Sequence, residues 1–116
     1  MATAFNTLAK NSMLQGLLDW NPGSVGSSMI FGAYTTDSDT AVVTSETGTY
    51  GSPSGGAMDI SSTVVISIGA GNSITHMRIQ KGSGAGQYYI YKKDVTTMSF
   101  TFAGTINITS AQISLS

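Results

Sequence analysis

From residue 24 onward the chain never stays apolar for long. Short stretches of alternating apolar and polar residues are cut by clusters of Gly, Ser, Asn and Asp at intervals of about 8–12 residues. A period of two is the period of a β-strand with one buried face and one wet face. Residues 28–35 carry Met29, Ile30, Phe31 and Tyr34, and residues 40–45 carry Val42 and Val43. Residues 58–68 place Met58, Ile60, Val64, Ile66 and Ile68 in phase, with Val65 out of phase. Residues 74–80 put Ile74, His76, Arg78 and Gln80 on one face. Residues 87–92 put Tyr89 and Tyr91 on the face opposite Tyr88 and Ile90. Residues 98–102, 105–108 and 111–115 complete the set. The pattern predicts about seven or eight short antiparallel strands, packed as a jelly-roll-like β-sandwich.

The first twenty residues follow a different period. Phe5, Leu8, Ala9, Met13, Leu17 and Trp20 recur at steps of three and four, the spacing of one helical face, and Leu14 and Leu18 widen the stripe. Thr3 or Asn6 supplies a cap for the helix start. Asn21, Pro22 and Gly23 stop it, because proline disfavours helix in the residue before it and glycine permits the turn. The expected organisation is one N-terminal α-helix and turn over residues 1–23 and a β domain over residues 24–116. The helix has two readings: packed on its own sheet, or an arm that docks on a neighbouring subunit.

Charge narrows the function. Only 9% of the 116 residues are charged, against about 25% in ordinary soluble domains. A surface of Ser, Thr, Asn, Gln and Gly repels its neighbours weakly and suits a protein held in an assembly. Five basic residues, of which only Lys92 and Lys93 adjoin, make no stripe for releasing counterions from nucleic acid. No apolar run reaches the ~18 residues of a membrane span. The start of the chain has no basic n-region, so a secretory signal is not expected.

Catalytic residue types are sparse. With no Cys and a single His, typical zinc sites and thiol chemistry have no ligands or nucleophile. His76 between Thr75 and Met77 reads as a structural strand histidine, and no G-x-S-x-G elbow accompanies the many serines. Asp37 and Asp39 lie in a hairpin turn that lacks the distal glutamate of a calcium loop. No catalytic residue, metal ligand or cofactor is therefore expected. Contact residues are more plausible: Phe5, Leu8, Leu14 and Trp20 on the helix, Tyr50 in the Gly- and Ser-rich loop at 47–57, and Tyr89 and Tyr91 on the tyrosine-rich strand. Tyrosine combines a broad apolar face with a polar tip, which serves interfaces and sugar stacking. For Tyr50 an anchoring role in its own loop is the alternative, and for the strand tyrosines filling the core or covering the sheet.

Three segments suggest a family. Leu8-Ala9-Lys10-Asn11-Ser12-Met13-Leu14, ending at Asp19 and followed by Asn21-Pro22-Gly23, resembles the "K-N-x-x-L-D-x-L" helix that opens small tailed-phage virion proteins. Gly71-Asn72-Ser73-Ile74-Thr75-His76-Met77 is similar to their "G-x-x-V-T-H-V" turn and strand. Phe102-Ala103-Gly104-Thr105-Ile106-Asn107-Ile108 and the ending Ile113-Ser114-Leu115-Ser116 are similar to their C-terminal cadence. The middle, residues 40–57, departs from the usual charged segment. The resemblance implies a non-enzymatic virion protein assembled in the host cytoplasm, and transfers no catalytic residue. The leading expectation is a capsid decoration (cement) protein, a homotrimer on the outer shell whose partner is the major capsid protein. The alternative is a tail-fibre or baseplate module that meets tail proteins and binds host glycans through tyrosines. Neither nucleic acid nor membrane is expected as a partner.

Overall fold

The computed structural model describes residues 6–24, 26–82 and 88–115. Phe5, the capping candidate Thr3 and most of the glycine-rich stretch at 82–86 lie outside the described residues. The described chain is mainly β: one N-terminal helix, α1 (Thr7–Asp19), is followed by eight antiparallel strands in three sheets. The strands are β1 (Met29–Tyr34), β2 (Val42–Gly48), β3 (Ala57–Met58), β4 (Val64–Ile68), β5 (Asn72–Lys81), β6 (Tyr89–Phe100), β7 (Gly104–Ile108) and β8 (Ile113–Ser114). β2, β1, β5 and β6 form the main sheet in that order, and β3–β8 and β4–β7 form two-stranded sheets.

Asn6 caps α1: its side chain accepts from the Leu8 N–H at 2.8 Å. A 3-10 turn at Pro22–Ser24 ends the helical region, with Gly23 at φ 57°. That left-handed backbone favours glycine, and a Cβ there would overlap the Tyr88 hydroxyl. The face of α1 that packs inward is Leu14, Leu17 and Leu18, with Leu14 only 2% exposed. Leu8, Met13 and Trp20, expected to share the stripe with Leu17, point outward. The helix is docked on its own chain by polar contacts as well. The Asn11 side chain accepts from Gly56 N–H at 2.9 Å, and the buried Lys81 Nζ donates to the carbonyls of Leu18 and Ser27.

The core joins Leu14 to Phe31, Val64, Ile66, Ile68 and Ile74, each worth about 1.5–3 kcal/mol of burial. Gly48 keeps this core closed, since a Cβ on it would strike the Phe31 ring and come within 2.9 Å of Val64 Cγ2. The two stretches expected at 87–92 and 98–102 run as one twelve-residue strand, β6. At ~3.3 Å per residue it is roughly 40 Å long, and the molecule measures 51 × 29 × 28 Å.

Candidate functional site

Pairing in the main sheet sorts its side chains onto two faces. One face carries the cross-strand rows Phe31, Ile79, Tyr91 and Ala33, Met77, Lys93. The other carries Gly32, Arg78, Lys92 and Tyr34, His76, Asp94. Two irregularities in the β5–β6 ladder set this division, and neither is visible as a break in the alternation. At the first, between Ile74 and His76, the register slips. Ile74 joins Met77 and Ile79 in the core, while Arg78 and Gln80 turn to the opposite side. At the second, Ile79 pairs with Tyr91 but Gln80 pairs with Tyr89, so Ile90 is the extra residue of a bulge. Tyr89 and Tyr91 therefore lie on opposite faces, not on one.

The first face forms the floor of an open groove of about 660 Å³. Met77, Ile79, Tyr91 and Val95 line it from the sheet, and Leu17 of α1 lines one side. The connection from β7 to β8 forms the other side, through Ile108, Ala111 and Ile113. That wall is pinned by two side chains. The Asp59 carboxylate accepts from Ala111 N–H, Ser110 Oγ and Ile60 N–H, each at 2.7 Å. The Ala111 N–H, and then the Ser110 hydroxyl, hold the Asp59 carboxyl below the usual carboxylate value. Tyr50 Oη donates to the Ala111 carbonyl at 2.7 Å. Burial, with the Asp59 charge nearby, pushes the Tyr50 phenol up to about 12. Its ring stacks with Phe31 at 6.2 Å and 12°. Tyr50 is thus an anchor in the core rather than a contact on a loop.

The second face gathers Arg78, Lys92, Asp37, Asp39 and Asp94, five of the chain's eleven charged side chains (five basic, six acidic). Arg78 is buried and donates to Asp39 Oδ1 at 2.7 Å and to Asp37 Oδ1 at 3.0 Å. Its guanidinium lies 4.8 Å from the Tyr34 ring centre and 4.9 Å from that of Tyr89, a double cation–π contact. Lys92 reaches Asp37 from outside at 3.2 Å. The hydrogen bond from Arg78, then that from Lys92, holds the Asp37 carboxyl below its usual value. His76 Nε2 meets the exposed Asp94 at 2.8 Å, and Thr75 Oγ1 lies 2.8 Å from His76 Nδ1. The Thr75 hydroxyl also donates to the Thr35 carbonyl at 2.8 Å. Its proton is committed to the backbone, and His76 is not among the residues lining the groove.

The expected contact residues divide accordingly. Leu14 and Tyr50 are buried and offer nothing to a partner in this fold. Leu8 is 76% exposed, and Trp20 and Tyr89 are nearly half exposed. Tyr91, 54% exposed, stands at the groove. Phe5 lies outside the described residues. Sequence reasoning missed Arg78, Lys81 and Asp59, because a charged residue inside a strand or at its end carries no local mark of burial or of its distant partners. It also missed Phe102, 82% exposed after β6, which it had placed within a strand. Among the described residues no three His, Asp or Glu side chains gather as a metal site would need. No helix among them is long and apolar enough to cross a membrane. Comparison of the chain with protein-family models, with curated proteins and with solved structures finds no match.

Proposed function

We propose that this chain is a non-enzymatic structural protein of a tailed-phage virion, a decoration protein that binds the outer shell as a homotrimer and contacts the major capsid protein. The observation that carries the reading is the two-sided apolar character of α1. Its inner side, Leu14, Leu17 and Leu18, is spent on the core. Its outer side still presents Leu8, Met13 and Trp20 to solvent. Large apolar residues on a surface with so few charges are what a fixed contact in an assembly uses. The sequence resemblance to small virion proteins supplies the setting. A jelly-roll-like sandwich, the finer fold reading, has the two small sheets acting together as a second layer against the main sheet.

Electron cryo-microscopy of purified particles tests the proposal, with copy number by quantitative mass spectrometry. Hundreds of copies on the outer shell are expected; absence from the particle overturns it. A tail-fibre or baseplate module is the second reading, favoured by Tyr91 standing exposed beside a groove. A handful of copies at the tail, and glycan-array hits lost in Tyr91→Ala, would establish that reading instead.

A further inference from the structure

The main sheet ends at β6, which has a hydrogen-bonded neighbour on one side only. Along twelve residues its outer edge presents backbone N–H and C=O groups with no ladder partner among the described residues. Edges of this length are a template for another chain, and proteins usually blunt them with charges. Here three charges sit in the middle: Lys92, Lys93 and Asp94. Two of them are turned in upon the charged face, Lys92 to Asp37 and Asp94 to His76. Lys93 alone makes no ion pair among the described residues, and it lines the groove. No aspartate or glutamate among the described residues lines the groove with it.

We propose that the outer edge of β6 and the groove beside it receive one extended strand of a partner protein. That strand carries apolar groove-facing side chains and an acidic one opposite Lys93. The geometry fits strand addition, in which backbone bonds supply affinity and alternate side chains fill pockets. Tyr91, Lys93 and Val95 line the groove at a spacing of two residues, the repeat at which an added strand drops side chains on one face. Opposite Tyr91 and Val95 apolar residues bury area. Opposite Lys93 a carboxylate makes a cross-strand pair. The proposal rests on the reading of the chain as a contact protein, but not on whether the contact is at the head or the tail.

Amide hydrogen exchange and ¹⁵N NMR on the full chain test it with nine-residue capped peptides alternating valine and threonine. One has glutamate at the centre, a second lysine there, and a third proline in place of the threonines beside the centre. The glutamate peptide is expected to slow exchange along β6 and shift its amides. The lysine peptide binds at least tenfold more weakly, and the proline peptide fails. Lys93→Glu, an exposed substitution whose fold is checked by its spectrum, exchanges the preference of the first two. The proposal is overturned if the glutamate peptide leaves β6 unchanged at millimolar concentration, or if all three peptides bind alike. Dodecanoate filling the groove more tightly than any peptide would assign it to a lipid-like ligand instead. Protection of β6 that rises with protein concentration alone, with a dimer in sedimentation, would assign the edge to a second copy. A particle that lacks the protein would overturn the virion reading and leave the peptide result standing.

Discussion

At the scale of single residues, the most informative groups are polar ones that the fold has enclosed. Tyr50 is held between Phe31 and the Ala111 carbonyl, with its phenol raised to about 12. In the unfolded chain the same phenol ionises near its usual 10. Between these values the unfolded chain holds fewer protons, so stability falls as pH rises from 10. The full loss by pH 12 is about 2–3 kcal/mol. Tyr50→Phe should cost about 1 kcal/mol at pH 7, for the lost hydrogen bond. It should also flatten the alkaline decline, and urea titrations at pH 7 and pH 11 read both effects. Equal alkaline slopes in the two proteins would dismiss this account. Arg78 governs the acid side. The stability that Asp37 gains is complete above the usual 3.8 and is lost as pH falls through its depressed folded value. Arg78→Met removes the larger of the two hydrogen bonds that depress it. This substitution should cost about 1.5–3 kcal/mol at pH 7, since it removes the charge-assisted hydrogen bonds of a buried guanidinium to two half-exposed carboxylates. Urea titrations between pH 2 and pH 7 should then show a smaller acid loss than in the parent.

At the scale of elements, α1 settles as part of the β domain's core. Leu14→Ala should cost about 3 kcal/mol or more, whereas Leu8→Ser, on the outer side, should stay within about 0.5 kcal/mol. Thermal unfolding of the two variants checks this. Near-equal losses would mean that the helix is not docked as described. Deleting residues 2–20 should likewise unfold the domain rather than free it of an arm, because the core would lose Leu14 and the buried Lys81 would lose the Leu18 carbonyl. The strands show what a sequence can and cannot reveal. Val64, Ile66 and Ile68 face inward with Val65 out, as their alternation predicts, because β4 pairs with β7 without a slip. The alternation of Ile74, His76, Arg78 and Gln80 is equally regular to the eye, yet a bulge divides it. A bulge is set by the partner strand, and no residue in β5 announces it. The same holds for Tyr89 and Tyr91, and for the wall of the groove, whose pins Tyr50 and Asp59 are over fifty residues from Ala111. The helix was legible as a helix, but its outer and inner sides were not. Leucines on both sides left the choice to the sheet beneath.

At the scale of the whole molecule, five of the eleven charged side chains gather on one face of the main sheet, and Leu8, Met13 and Trp20 stand exposed at the helix. That arrangement makes a specific demand on any particle contact made by α1. The exposed halves of Met13 and Trp20 together offer roughly 200 Å² of apolar area, about 5 kcal/mol on the usual area scale before the costs of association. Aromatic anchors of this kind dominate many interfaces. The double substitution Met13→Ser, Trp20→Ser should therefore weaken binding to particles stripped of this protein at least tenfold. Melting should shift little, because neither side chain supports the core. Co-sedimentation with the particles measures the loss. Salt distinguishes this mode from its competitor. A neutral apolar contact should change less than about threefold between roughly 0.05 and 0.5 M NaCl, since it has no charges to screen. A contact made through Asp37, Asp39 and Lys92 would weaken steeply over that range and would ignore the loss of Trp20. Finding the second behaviour would move the docking face from the helix to the opposite side of the sheet.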